Sequence, residues 1–490
     1  MTDSPQYDLL IKNVRLVRPN DPDIVEGDIA VRDGKISQVG PNLGASAKQV
    51  VDGKKRLAFP GLVDAHMHTG IYSPLAEDAV TESAAAAQGG VTSSLNYFRS
   101  GQYYLNKGGP YETFFPEVLE ISDGRFHVDY AYHLAPMDSR HISEIPMLID
   151  KFGVTTFKIY MFYGGYGLHG ASTSQRDFLM IDEDEKYDLA HFEFIMRGVK
   201  DAMQRFPEKR DAISLSMHCE TAEIMNAYTK IVQKEGKLKG LRAYSAARPP
   251  HSEGLAICIA SYLAHETECV NLNLLHLSSR KAVEAALKMA DAFPNINFRR
   301  EVTIAHLVID YDVQTGYMAK VNPPIRSRED VEYLWQTLID GKIDWVCSDH
   351  ACCRHELKSH DGHACEDVFL AKSGFGGTEY LLSAFLTEAR KRKFPLHKAA
   401  QLLSSNPAKR FGLPSKGDLA PGFDADIALI DPDKSFTVRA KDSPSTQGYT
   451  PFEGLDLTGK VMSTYLRGQL IYDEGNVVGG PRGRYLKRPC

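Results

Sequence analysis

Two histidines stand two residues apart in "GLVDAHMHTG", at His66 and His68. On an extended strand, side chains at i and i+2 point to one side, so both imidazoles can reach one metal ion. Standing alone, the pair is as readily incidental as functional. Three further apolar runs end in the same way: "SLSMHCE" delivers His218, "NLLHLSS" His276 and "DWVCSDHA" Asp349. A lone histidine such as His276 is most often a satisfied core or loop residue. Four separate strand-end segments, each presenting an imidazole or a carboxylate, point instead to a shared metal centre.

A lysine belongs to the same question. The run "VTTFKIYMFYGGYG" reads as a buried strand, yet Lys158 sits in its middle. Lysine is almost never fully buried unless its charge is paired or its pKa is pulled far down. On the strand alone, a snorkelling stem or a salt bridge is the preferred reading. A third reading is chemical. Burial favours the neutral amine, which can capture carbon dioxide and become a carbamate. Its two oxygens would supply the anionic bridge that four histidines and one aspartate need to hold two divalent ions.

The elements that must position these residues follow a pattern. Strand-like runs ("RLAFPGLVDAHMH", "ISLSMHCE", "VNLNLLHLS", "IDWVCSDH") alternate with helical stretches such as "AVTESAAAAQGG" and "SSRKAVEAALKMADAF" over some 350 residues. That alternation predicts parallel βα units and a (β/α)8 TIM-like barrel over residues 57–414, whose strands carry functional residues at their C-terminal ends. Residues 1–56 and 415–490 read differently, as short strands joined by Gly-rich turns. The two ends are expected to meet in one small β-sandwich domain, the second also supplying an oligomerisation tail. The chain has 490 residues, 43% hydrophobic and 24% charged, with a net charge of −6. There is no basic footprint for nucleic acid or an anionic membrane surface. "MTDSPQYDLL" lacks the basic and apolar regions of a signal peptide, and no apolar run is long enough to span a bilayer. Eight scattered cysteines are expected as reduced thiols in a cytoplasmic compartment.

With these residues in view, the chain resembles the cyclic amidohydrolases of the amidohydrolase superfamily, in the dihydropyrimidinase/hydantoinase branch. "PGLVDAHMH", "TFKIYMFY", "MHCE", "LHLS" and "SDHA" are similar to the family's metal motifs, and "ESAAAAQGGVTS", "KVNPPIRS", "GFGGTEYLL", "SSNPAKRFGL" and "KGDLAPGFDADIALID" to other family segments. The resemblance implies a binuclear site, usually zinc. His66, His68 and Asp349 would hold one ion, His218 and His276 the other, with N6-carboxylated Lys158 and a hydroxide bridging them. It further implies that this hydroxide attacks the carbonyl carbon of a hydantoin- or dihydropyrimidine-like ring. Tyr163 would donate to the developing oxyanion, and Asp349 would act as general base and then acid. "PRGRYLKRP" resembles the branch's C-terminal extension, which implies a homotetramer or homodimer.

Some positions depart from that pattern. Asn322 in "VNPPIR" stands where the branch has Ser, and Ser373 in "KSGFGGTE" where it has Asn. Both contact the substrate ring in relatives, largely through backbone groups. Together with the Gly- and aromatic-rich loop after Tyr163, they predict an altered substrate preference. Among alternatives, a dihydroorotase would carry Arg just after the His-x-His pair, where Thr69 and Gly70 stand. An allantoinase is closer, since "REVTIAHLV" is similar to its Glu-Thr-x-x-His segment, but Tyr163 and the tail favour the hydantoinase side. A cyclic-imide hydrolase also fits. Some proteins of this fold are non-catalytic scaffolds that have lost ligands; all six ligand positions are present here. Cys352, Cys353, His355, His360, His363 and Cys365 are dense enough for a further zinc site, but their spacing matches no closed zinc pattern and a loop with incidental thiols is preferred. Arg248 is expected to serve a helix-positioning or site-edge role.

Overall fold

The computed structural model describes residues 6–44, 46–164, 174–359 and 367–490. The N-terminal segment forms five strands: β1 (Tyr7–Arg18), β2 (Asp21–Arg32), β3 (Lys35–Gly40), β4 (Ala47–Asp52) and β5 (Leu57–Pro60). Eight parallel strands follow in chain order around a barrel: β6 (Leu62–Met67), β7 (Val91–Phe98), β8 (Asp129–Leu134), β9 (Thr156–Tyr160), β10 (Ser214–His218), β11 (Asn271–Leu274), β12 (Asn297–Thr303) and β13 (Trp345–Cys347). The ring is closed by a parallel bridge between Met67 and His350, where the His68 N–H donates to the His350 carbonyl at 2.7 Å. Every residue of β6, β7, β8, β9 and β10 is buried, as expected for staves covered by helices outside and by one another within.

The close packing of helix on barrel explains the Gly-Gly pair of "AAAAQGGVTS". A Cβ on Gly89, at the end of the helix Leu75–Gln88, would lie 2.1 Å from the Thr378 carbonyl oxygen. Thr378 in turn donates to Asp64, which also accepts the Ser348 N–H at 3.0 Å. The carboxylate on β6 thereby fixes the backbone immediately before Asp349.

The remaining strands are β14 (Ile427–Thr437), β15 (Asp456–Leu466), β16 (Gln469–Asp473) and β17 (Asn476–Val477). They join the N-terminal strands in one sheet, ordered β17-β16-β15-β14-β5-β1-β2-β3 with β4 on β1. Short β5 is the seam, parallel to β1 and antiparallel to β14. Leu9, Ile11, Ile29 and Val31 share one core with Ile427, Leu429 and Tyr465, so the two ends of the chain make one β-sandwich layer pair. Lys416 locks this domain to the barrel, its Nζ 2.6 Å from Asp129 and 2.7 Å from Asp426. The C-terminal tail lies on its own barrel. The Tyr130 N–H donates to Arg484, the Leu486 N–H to Tyr130 and the Arg488 N–H to Gly153. Arg488 is buried with Nη1 3.3 Å from His133 Nδ1. Among the described residues, no helix is long and apolar enough to cross a membrane.

Candidate metal centre

Strands β6, β9, β10 and β11 and the turn after β13 bring the six expected ligand residues together at the C-terminal end of the barrel. His66 Nε2 lies 3.2 Å from His68 Nε2 and 3.2 Å from Asp349 Oδ1, and His68 Nε2 lies 3.4 Å from the same oxygen. A tetrahedral ion with bonds of about 2.0–2.2 Å needs donors roughly 3.3–3.6 Å apart. The three atoms have close to that spacing. Burial first, and then the neighbouring Lys158, push both imidazoles well below the ordinary histidine range, so neither is kept protonated. If both Nε2 atoms are unprotonated, three lone-pair donors converge on one point, and a shared cation would relieve their repulsion.

His276 carries the clearest sign of an expected partner. It is buried, and among the described residues neither ring nitrogen has a hydrogen-bond partner. Its ring centroid is 4.3 Å from that of His218 and 5.5 Å from that of His66. His218 directs Nε2 to Glu220 at 2.7 Å, so Nδ1 would be the nitrogen it offers to a metal. Two ligand residues, His276 (φ 35°) and Asp349 (φ 53°), hold left-handed backbone conformations that side chains rarely adopt, a form of strain concentrated at functional sites.

Lys158 is 1% exposed, so its stem does not snorkel. Among the described residues, no carboxylate lies within salt-bridge distance of it. Its Nζ is 3.0 Å from His66 Nε2 and faces the rings of Tyr97 and Tyr160 at 4.1 and 4.4 Å. Burial holds its pKa down to about 7, with Asp349 and Glu301 opposing. A nucleophilic amine beside the ligand cluster is what carbamate formation requires. The donor atoms of His66, His68 and Asp349 are thus grouped closely enough to hold a metal ion, with the rings of His218 and His276 beside them.

A second layer orients the ligands, and most of it escaped the sequence reading. Glu301 on β12 lies 2.7 Å from His66 Nδ1 and accepts from the His276 N–H at 3.1 Å and from Trp345 Nε1 at 2.8 Å. His68 Nδ1 meets the Tyr104 hydroxyl at 2.7 Å. With Nδ1 as the donor in both histidines, each Nε2 would be the acceptor a metal requires. Glu220 is paired with Arg248 through both carboxylate oxygens, one bond being 2.9 Å. Arg248 thus acts on the centre through His218. Glu220 had a sequence signal, since it stands two residues beyond His218 and shares its side of the chain.

The expected substrate-facing residues Tyr163, Asn322 and Ser373 line the same pocket as His68, Lys158, His218, His276 and Asp349. Tyr163 stacks on Tyr160 with ring centroids 4.7 Å apart. The Asn322 side-chain oxygen accepts from Tyr244 and from Ser373 Oγ, the latter at 3.3 Å, and Arg248 Nη1 lies 3.3 Å from the Tyr244 hydroxyl. The two departures from the family pattern are thereby connected through Tyr244 and Arg248 to His218. The loop after Gly164, with Tyr166, lies outside the described residues, as do His360, His363 and Cys365. Among the described residues, Cys352, Cys353 and His355 form no common ligand group; Cys352 lies instead with Asp78 and Glu82, and Glu82 is already bonded to His350, Ser445 and Thr446.

Comparison with known proteins agrees with this geometry. A family model described as "Amidohydrolase family" matches residues 209–471. The chain is 31% identical over 486 residues to an allantoinase of Rubrobacter xylanophilus, covering 98% of each. It is 30% identical over 494 residues to an allantoinase of Bacillus licheniformis, covering 98% of this chain and 99% of the relative. Among solved structures, dihydropyrimidinase from Brevibacillus agri NCHU1002 superposes with a TM-score of 0.83 at 25% identity, with 98% of each chain covered. L-Hydantoinase (dihydropyrimidinase) from Arthrobacter aurescens superposes with a TM-score of 0.83 at 27% identity, covering 98% of this chain and 99% of that one. From ligand geometry, architecture and likeness over nearly its whole length, the chain belongs to the amidohydrolase family, within the branch that holds the dihydropyrimidinases, hydantoinases and allantoinases.

Proposed function

We propose that this protein opens a hydantoin- or dihydropyrimidine-like ring by hydrolysing its amide bond. The observation that carries the reading is the set of acceptor atoms of His66, His68 and Asp349, 3.2–3.4 Å apart, beside a buried, unpaired Lys158. Two divalent ions, zinc by the chemistry of the donors, would lower the pKa of a water and polarise the ring carbonyl. Lys158 would hold them as its N6-carboxylate. Asp349, at the pocket wall, collects the proton of the attacking water and returns it to the leaving ring nitrogen. The ring C–N bond breaks as the new C–O bond forms, giving a carboxylate and a carbamoyl amine. Tyr163 donates its hydroxyl proton in a hydrogen bond to the carbonyl oxygen while negative charge gathers there.

A second reading, allantoin as the substrate, is favoured by one observation: the relatives at 30–31% identity are named allantoinase. Asn322 and Ser373, bonded to each other and to Tyr244, leave mainly backbone groups for the ring at that wall. We infer that specificity has moved away from dihydrouracil, and that the protein works as a homo-oligomer in the cytoplasm. The test is zinc content together with ring-opening rates on hydantoin, dihydrouracil, allantoin and succinimide. Two metals per chain with turnover of at least one ring is expected. Saturating turnover of dihydrouracil at a rate normal for the family would sink the specificity shift, and inactivity of the metal-loaded protein on all four rings would sink the function.

A further inference from the structure

Arg99 follows β7 at the end of the barrel that holds the ligand residues, and it is 0% exposed. A buried guanidinium normally meets a carboxylate, because an unpaired charge in the interior is costly. Among the described residues none is in ion-pair range of Arg99. Its Nη1 donates to the Ser100 carbonyl at 2.8 Å, and its Nε has no hydrogen-bond partner. The charge is instead enclosed by aromatic faces. Its carbon Cζ lies 5.1 Å from the ring centroid of Tyr163, 5.3 Å from that of Tyr104 and 4.7 Å from that of Phe178. The backbone is shaped around it. Gly101 has φ +106°, and a Cβ there would stand 2.7 Å from Arg99 Nη1.

A cation over the face of a phenol is attracted by the ring's negative quadrupole and withdraws charge from the ring. A ring polarised in this way makes its hydroxyl a stronger hydrogen-bond donor. That matters most when the acceptor is gaining negative charge. In a dry site the effect is larger than in water. Tyr104 and Tyr163 both belong to this cage and line the pocket with His218, His276 and Asp349, but the Tyr104 hydroxyl is engaged by His68 Nδ1, which leaves Tyr163 as the phenol for the substrate. Arg99 is not itself at the pocket wall, where Tyr104 and Tyr163 stand instead.

We propose that Arg99 is a positioning residue for ring opening: its guanidinium holds the Tyr163 ring and strengthens the hydrogen bond that phenol gives to the reacting carbonyl oxygen. This rests on the role assigned to Tyr163 above. A guanidinium that met an acidic substituent of the substrate would be a different device, with a different signature.

The test is a double-mutant cycle on the zinc-loaded full-length protein, with whichever of the four rings the wild type opens fastest. Tyr163→Phe should lower kcat by about 100-fold and Arg99→Met by about 10-fold, with KM within about two-fold in each case. In the Tyr163→Phe background, Arg99→Met should cost less than about two-fold more, because the hydroxyl it acts through is gone. Arg99→Lys, which keeps the charge, should recover most of the loss. Equal fold-losses in both backgrounds would overturn the proposal, as would a loss that vanishes with Tyr104→Phe instead. A rise in KM at unchanged kcat would show a substrate-binding arginine and overturn it too. Should Arg99→Met fail to fold, the cycle with Arg99→Gln, which keeps a planar polar head without the charge, is read in the same way. Wild-type inactivity on every ring sinks the reading of the site and this proposal together; an active wild type with non-interacting losses sinks this proposal alone.

Discussion

Replacing Arg248 by Met tests the layer behind the ligands. Glu220 is fully buried, and burial alone would raise its pKa. Arg248 and His218 outweigh burial and hold it at about 2, against an ordinary value of 4.5. A depression of that size corresponds to roughly 3 kcal/mol of stability at neutral pH, at about 1.4 kcal/mol per unit. Its sign is that of a carboxylate with a lowered folded-state pKa. The contribution is complete above pH 4.5 and is lost as pH falls toward 2. In Arg248→Met the carboxylate keeps only His218, in the range where breaking a buried pair costs about 3–5 kcal/mol. His218 then loses its fixed orientation, for which a fall of about 10–100-fold in affinity for the second zinc ion is expected. Urea unfolding of the metal-free protein at pH 7 and pH 4, with zinc competition against a chelator, reads both effects. The variant should be less stable at pH 7 and should lose less than the wild type on acidification. Glu220→Gln/Arg248→Met should regain much of the stability and none of the zinc affinity. A variant within about 1 kcal/mol of wild type at pH 7, binding two zinc ions with unchanged affinity, would refute the reasoning, because the buried pair would then contribute nothing.

Three further outcomes are expected. Lys158→Met should fold, since it replaces a buried amine by a chain of similar length, but elemental analysis should find one zinc ion or fewer per chain instead of two. Asp349→Asn should keep the native circular dichroism spectrum and lose ring opening; unchanged hydrolysis would place the proton transfer elsewhere. Lys416→Met should destabilise the protein by about 3–5 kcal/mol in denaturant unfolding, because Asp129 and Asp426 would face each other without their shared ammonium.

The clustering of the six expected residues was legible in the amino-acid sequence because strand geometry converts spacing into direction. His66 and His68 needed only the two-residue period, and Lys158 announced itself as a charge inside an apolar stave. Glu301 is a charge inside a stave as well, yet its partner His66 is 235 residues away, and no local pattern relates β12 to β6. Arg248 was legible only as a helix-positioning or site-edge residue and Tyr244 not at all, because their task is defined by contacts with Glu220, Asn322 and Ser373 far along the chain. Arg99 reads locally as an ordinary arginine past the end of a strand. Only the packing of Tyr104, Tyr163 and Phe178 around it shows a buried charge. The tail was recognised from its likeness to a family extension, but its docking against β8 and Gly153 depends on backbone hydrogen bonds that any residues could make.

The seam strand β5 has a consequence for how the molecule is made. Phe59 pairs with Ala428, so the strand emerges from the ribosome about 370 residues before its neighbour exists. At ~5–20 residues per second, that interval lasts roughly 20–70 s. Through it, the apolar edge Leu57-Ala58-Phe59 and the inner faces of β1 and β2 have nothing to pair with, and unpaired strand edges of this kind invite misassembly. The barrel must grow while anchored to an unfinished sheet. Synthesis in the cell is thus a timed exposure, and shielding that early hairpin by a holding chaperone should raise the yield of native protein more than any later assistance.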